Sequence, residues 1–275
     1  MRKGLFFIVF TFLSIALLSQ KSDPSLRGKK ILLYTKNGKG YVHENIPYSI
    51  AAFQKLSSEN KFSIDTTTDA SVFNEDALKK YDAIIFSNTN NDVFDTEEQR
   101  VAFMRYIQAG GGFVGIHSAI GTERNWKWFK LMIGATFLRH PPFQPFTIHV
   151  IDKKNPATKN LSSSWHTNDE FYYFKEINPS IHVLTVSDLG NIKDSVDGKD
   201  ARPVVFGNRY PSSWCHEFDG GKIWYTALGH SKDDYSNKVY LANILEGLKW
   251  VLDKGPLDYK KAYATRSAVT EDELF

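Results

Sequence analysis

Apolar runs and helical spacing alternate through the first half of the chain. "KKILLYTKN" (29–37) and "YDAIIFSNTN" (81–90) are continuous apolar runs that predict buried strands, and "KFSIDTTTD" between them predicts another. "HENIPYSIAAFQKLSSEN" sets Ile46, Ile50 and Phe53 at helical spacing. "DTEEQRVAFMRYIQAGGG" predicts a helix with marked ends. Thr96 and Gln99 form a capping box, Glu97 and Glu98 suit the first turn, and Gly110 suits the stop. Its apolar face is Phe103, Tyr106 and Ile107. "GFVGIHS" then predicts a fourth strand that ends at His117. Strands that are apolar on both faces need helices on both sides, so the pattern predicts an α/β fold with a doubly wound, mostly parallel sheet. Right-handed crossovers bring the strand C-termini to one edge, where the loops after Thr35, Ser87 and His117 should meet in a cleft.

The second half has a different texture. "FTIHVID" (146–152), "SIHVLTVSD" (180–188), "RPVVFGNRY" (202–210) and "SWCHEFDGGKIWYTALGHS" (213–231) predict added, antiparallel strands, the last a hairpin turned at Asp219-Gly220-Gly221. "SNKVYLANILEGLKWVL" predicts a closing helix with Leu241, Ile244, Leu245, Leu248 and Leu252 on one stripe. Residues 254–275 form a charged tail without a period. No repeat or linker divides the chain, so residues 27–253 are read as one domain.

The N-terminus adds a compartment. Arg2 and Lys3 precede an uncharged apolar run from Leu5 to Leu18, too short for a comfortable membrane span, so residues 1–22 read as a signal peptide. The expected protein is exported, periplasmic or extracellular, with no membrane span once the leader is cleaved. Its one cysteine, Cys215, allows no internal disulfide and sits in a strand-like run, where a thiol packs rather than reacts. With 34 basic and 31 acidic residues and no strongly basic block, nucleic acid is not the expected partner. Homo-oligomerisation is left open.

The candidate chemistry is histidine with carboxylate. His43 follows the first strand, His117 the fourth and His230 the last, and Asp169-Glu170 lies among aromatics in "WHTNDEFYYF". Imidazoles and carboxylates in a partly dry cleft can move protons near neutral pH. His43, His117, Asp169, Glu170 and His230 are therefore the candidate catalytic groups. His140, Tyr172, Trp214, His216 and Trp224 are candidates for binding substrate, the aromatics by stacking on sugar rings. His149 and His182 alternate within strands and read as surface or core residues. No metal is expected from local spacing, since neither H-x-x-x-H, H-E-x-x-H nor a cysteine cluster occurs, and the cofactor is unknown. Gly110 to Gly112 end a helix and precede a strand, the reverse of a phosphate-binding loop.

Five segments, "YVHENIP", "GGGFVGIHSA", "GATFLRHPPFQ", "TNDEFYYF" and "WCHEFDGGKIWYTALGHS", resemble the trehalose-utilisation, ThuA-like family in the family's order, over residues 29–253. Asn155-Pro156 stands where members often carry His-Pro. The resemblance implies a class I glutamine amidotransferase-like, flavodoxin-like fold without the nucleophile-elbow cysteine, His117 standing at the elbow instead. It also implies a role in carbohydrate utilisation. An enzyme acting on a sugar or keto-sugar glycoside by proton transfer (an isomerase, lyase or hydrolase) is one expectation. A non-catalytic carbohydrate-binding or scaffold protein of the same fold is the alternative. A cysteine-dependent amidotransferase would need its cysteine at the elbow, and Cys215 lies about a hundred residues beyond it.

Overall fold

The structure, a computed structural model, describes residues 25–194 and 206–269. The leader read at residues 1–22 lies outside them, as do residues 202–205 of the run "RPVVFGNRY".

The apolar runs form β1 (Lys30–Tyr34), β3 (Ala83–Ser87) and β4 (Gly112–Ile116), the last two buried at every position, and the polar run between them forms β2 (Ser63–Thr67). β5 (Thr136–Arg139), β6 (Gln144–Val150), β7 (Ser164–Asp169), β8 (Tyr173–Lys175) and β9 (His182–Asp188) follow. β10 (Arg209–Phe218) and β11 (Gly221–Thr226) close the series. The main sheet has the order β2-β1-β3-β4-β11-β10-β9-β6-β7. Its first five strands are parallel, and from β10 onward each neighbour is antiparallel. β5 and β8 pair separately. The fold is thus the expected α/β architecture with an antiparallel extension.

The helices are α1 (Ile46–Asn60), α2 (Glu75–Leu78), α3 (Glu97–Gln108), α4 (Lys127–Ile133) and α5 (Lys238–Leu252). β2 lies on one side of β1 and β3 on the other, so right-handed crossovers place α1 and α3 on opposite faces of the sheet. This makes the β1–β3 boundary a topological switch point, where α/β folds open a crevice at the strand C-termini. At the start of α3, Gln99 N–H donates to Thr96 Oγ1 at 3.3 Å, while the Gln99 side chain accepts from Asp95 N–H at 2.7 Å. Phe103, Tyr106 and Ile107 are buried as the spacing predicts. On α5 the buried positions include Ile244, Leu248, Val251 and Leu252, with Leu241 and Leu245 half-buried at the margin of the stripe.

Residues past 253, patternless in sequence, run back along α3. Arg105 donates to the Ala262 carbonyl at 3.1 Å, Gln108 Oε1 accepts from the backbone of Tyr263 and Ala264, and Trp126 Nε1 donates to Ser267 O at 2.7 Å. The strand expected at 202–210 begins only at Arg209 within the described residues. β5, β7 and β8 were not foreseen. β7 is an edge strand with alternating exposed positions, and β8 has three residues, so neither carries an apolar run. Among the described residues no helix is long and apolar enough to cross a membrane.

Candidate active site

β4 delivers His117 to the C-terminal edge of the parallel strands, and the chain turns there into a single 3-10 turn, His117–Gly121. His117 has φ 52°, a left-handed conformation that costs a non-glycine residue about 1 kcal/mol or more. Asn88, Asn91 and Glu123 are left-handed at the same edge. Such strain persists only where surrounding contacts enforce it, and they do. His117 Nδ1–H donates to the Ala227 carbonyl at 2.8 Å, and the Tyr225 hydroxyl donates to the His117 carbonyl at 2.8 Å. Committing Nδ1 to a carbonyl fixes the tautomer and leaves the Nε2 lone pair facing Tyr172 and Glu170. Tyr172 Oη–H donates to that Nε2 at 2.6 Å, and Glu170 Oε2 stands 3.6 Å from it.

The other groups arrive from separate elements. His43 comes from the loop after β1, with its Nδ1 3.2 Å from Ser118 Oγ. His230 follows β11, and Glu170 follows β7. The three imidazoles form a near-equilateral triangle, with ring centres 4.9 Å (His43–His117), 5.3 Å (His43–His230) and 5.2 Å (His117–His230) apart. Glu170 Oε2 reaches His230 Nδ1 at 3.3 Å, and Oε1 faces His140 Nδ1 at 3.5 Å.

Asp169 was a candidate acid or base, and its placement corrects that. It is fully buried behind the triangle, and its carboxylate accepts the backbone N–H groups of Gly229 (2.8 Å), His230 (3.1 Å), Ser231 (3.3 Å) and Glu170 (2.8 Å). It holds the His230 loop and Glu170 in register. Asn45 grips the loop from the other side, its Nδ2 donating to the carbonyls of Gly229 and His230 at 2.6 and 2.8 Å.

Burial sets the protonation states. Desolvation first, and then the neighbouring His230 and His140, lower the His43 imidazole to about 4. His117 lies well below the usual histidine range, chiefly through burial and then through His43, although the Ala227 carbonyl opposes this. His230 is lowered by burial and by His140. Glu170 is raised, mainly by burial and also by Asp169, with His140 opposing. At neutral pH the centre therefore holds three uncharged imidazoles beside a carboxylate of strengthened basicity.

Two adjoining hollows open onto His43 and His230 of the triangle, while His117, fully buried, lies behind Tyr172 and Glu170 and lines neither. One, of about 340 Å³, is lined by His43, Ser118, Arg124, His140, Glu170 and Tyr172 among others. The second, of about 420 Å³, shares His43 and Tyr41 with it and adds Tyr48, Phe143 and His230. His43, His117, His140, Glu170, Tyr172 and His230 are thus brought together as anticipated. Tyr41, Tyr48, Asn90, Arg124 and Phe143 were missed. They lie in loops or at a helix start, where no period marks a side chain; the signals on offer were position after a predicted strand end for Tyr41 and Arg124, and membership of the family-like segments for Tyr41 and Phe143. Arg124 is set by Nη2 donating to Asn90 Oδ1 at 3.0 Å and Nε donating to the Gly121 carbonyl at 2.9 Å.

Three expected substrate contacts lie elsewhere. Trp214 and Trp224 are fully buried in the core. Trp214 Nε1 donates to the Ile133 carbonyl at 2.8 Å, and the Trp224 indole lies so close to Gly247 of α5 that an added Cβ would stand 2.3 Å from it. Neither can stack on a sugar; the exposed aromatics at the hollows are Tyr41, Tyr48 and Phe143. His216 is buried under α4, its Nε2–H donating to the Met132 carbonyl at 2.7 Å. Cys215 is buried as expected, with burial pushing its thiol up to about 12. In the native protein at pH 8 it should resist iodoacetamide for hours and react on unfolding, and Cys215→Ala should keep most of any turnover. Rapid native alkylation, read by mass spectrometry, would contradict the placement.

The profile of a family described as trehalose utilisation, ThuA, matches residues 30–251. A ThuA-like protein of Bacteroides uniformis superposes with a TM-score of 0.68 at 25% identity, covering 86% of this chain and 96% of that one. A ThuA-like protein of Parabacteroides merdae gives 0.64 at 19% identity, covering 89% and 100%. A protein of Thermoplasma acidophilum described as a GMP synthase chain gives 0.50 at 12% identity, covering 82% and 94%, a likeness of fold alone. No curated protein matches the chain.

Proposed function

The chain belongs to the trehalose-utilisation, ThuA family, and from that premise we propose that it is an enzyme acting on a sugar or keto-sugar glycoside by proton transfer at His117 and Glu170. The observation that carries the reading is the paired geometry at His117 Nε2: a hydroxyl donor, Tyr172, at 2.6 Å and a carboxylate, Glu170, at 3.6 Å, both of which line the cleft in front of the buried imidazole. Isomerisation and β-elimination of a keto-glycoside both begin with loss of the proton α to the ketone. A carboxylate made more basic by burial suits that step as acceptor. The Tyr172 hydroxyl, once it turns its one proton from His117 Nε2 to the substrate, suits the carbonyl oxygen as donor, and the freed Nε2 lone pair can accept a proton in its turn. A carbohydrate-binding protein without catalysis would use Arg124, Asn90 and the exposed Tyr41, Tyr48 and Phe143, but has no need of buried imidazoles on a strained strand end.

Two adjoining hollows with aromatic rims fit more than one sugar ring, and Arg124 supplies donors to hydroxyl oxygens. Export is part of the proposal, and protein recovered from the native envelope should begin between about Ser19 and Ser25; an intact Met1 would count against it. The proposed activity is tested by following a panel of disaccharides and their keto derivatives by NMR. Wild type should convert at least one keto-sugar. Arg124→Ala should raise KM about 10- to 100-fold, the loss expected for a charge-assisted hydrogen bond, with little change in melting. A panel left wholly unchanged by wild type would favour the binding protein.

A further inference from the structure

We propose that His43, His117, His230 and Glu170 together bind one divalent transition-metal ion of the zinc class. The inference rests on the reading that this triangle is the centre of the site. One ligand atom from each of the four residues lies within 4.8 Å of all the others. A metal–nitrogen bond of about 2.1 Å sets an imidazole centre roughly 3.2 Å from the ion, so rings at facial or tetrahedral angles stand about 4.5–5.2 Å apart. The ring centres here are 4.9, 5.2 and 5.3 Å apart, so a small contraction closes the set.

The outer contacts are those of a metal site. His117 gives Nδ1–H to the Ala227 carbonyl and His43 turns Nδ1 to Ser118, so each directs Nε2 inward. Asp169 clamps the backbone of both Glu170 and His230. Among the described residues His230 Nδ1 is buried, with Glu170 Oε2 3.3 Å away but no hydrogen bond made to it. The centre is rich in acceptors and poor in donors: three imidazole nitrogens and a carboxylate oxygen converge, and Tyr172 Oη–H at His117 is the donor the structure places there. With His43 and His230 in the tautomers that turn a lone pair inward, as His117 does, a cation answers all four groups at once.

The donor set also selects. Three nitrogens and one oxygen suit zinc, manganese, iron or nickel, whereas magnesium and calcium require oxygen ligands. Glu170 divides its oxygens, with Oε2 turned to the triangle and Oε1 to His140, so one carboxylate can ligate and still receive a proton. The two hollows leave coordination positions open to a ketone or vicinal hydroxyls of a sugar, and a bound ion would polarise that oxygen. Tyr172 would give up its bond to His117 Nε2 when the ion enters; His117 would then serve as a ligand, and the proton-moving groups would be Tyr172 and the Glu170 oxygen left free.

The test uses full-length protein stripped with EDTA, then titrated with ZnCl2, MnCl2 and MgCl2 and read by calorimetry and native mass spectrometry. One zinc per chain should bind with Kd below about 1 μM, and magnesium should not bind at millimolar concentration. Glu170→Gln and His230→Ala, each checked by melting, should weaken zinc at least about 10-fold. Tyr172→Phe should bind zinc as tightly as wild type or tighter, and His182→Ala, remote from the cluster, should match wild type. The proposal is overturned if wild type takes up no stoichiometric zinc, or if the folded ligand variants bind like wild type. Binding is read without substrate, so a metal-loaded but inert protein would sink the enzyme reading alone. A metal-free but active protein would sink this one alone.

Discussion

His117→Asn should fold normally and lose about 10²- to 10⁴-fold in turnover, the usual cost of removing general acid–base help. Asparagine is chosen for the backbone. It tolerates the left-handed conformation that His117 occupies at φ 52°, so the strand-end turn should survive. Its amide can also replace the Nδ1–H bond to Ala227 O. What it cannot supply is the inward lone pair at the Nε2 position, which accepts from Tyr172 and faces Glu170. Steady-state kinetics beside a thermal melt would separate these effects: a melt within a few degrees of wild type, with kcat lost. Near-wild-type kcat in a folded variant would remove His117 from the chemistry.

Asp169→Ala should unfold far more easily and lose turnover with it. The substitution strands the buried N–H groups of Gly229, His230, Ser231 and Glu170 together. Each buried unsatisfied group costs about 1–3 kcal/mol, partly relieved if the loop opens to water. A net loss on the order of 3 kcal/mol lowers Tm by roughly 6–12 °C in a chain of this size. Asp169→Asn keeps one acceptor oxygen but turns an NH2 toward N–H groups, so it should fall between wild type and alanine. Both variants should misplace His230 and Glu170, because Asp169 holds their backbones. An Asp169→Ala protein that melts like wild type would show that the clamp carries no strain and that Asn45 alone fixes the loop.

The parallel half of the fold was legible because its central strands are buried on both faces and so read as unbroken apolar runs. The same property explains where the reading ran out. In β10 and β11, burial on both faces removes the alternation that would tell a core aromatic from one at a cleft, so Trp214 and Trp224 looked available when α4, α5 and their neighbours cover them. His43, His117 and His230 were legible from address, each following a strand that ends at one edge. Asp169 and Glu170 are adjacent in sequence with opposite fates. At the end of β7 successive side chains point to opposite sides, which sends Asp169 inward to the loop amides and Glu170 to the imidazoles. Sequence named the pair without dividing the roles. Arg124 and Tyr41 needed the folded loops, because nothing in their local spacing distinguishes them from other surface residues. The imidazole triangle is likewise assembled from segments far apart in the chain, which is why local spacing carried no metal motif.

The central claim, proton transfer to and from a sugar at His117 and Glu170, is tested most directly by hydrogen exchange into substrate. Keto-glycosides converted or bound by wild type are incubated with enzyme in D2O, and deuterium at the carbon α to the ketone is followed by NMR. Wild type should incorporate one deuterium at a defined position far faster than buffer, while Glu170→Gln and His117→Asn, folded by their melts, should exchange at least about 100-fold more slowly. Wild-type exchange no faster than buffer on sugars that demonstrably bind, or equal exchange in both variants, would contradict the account.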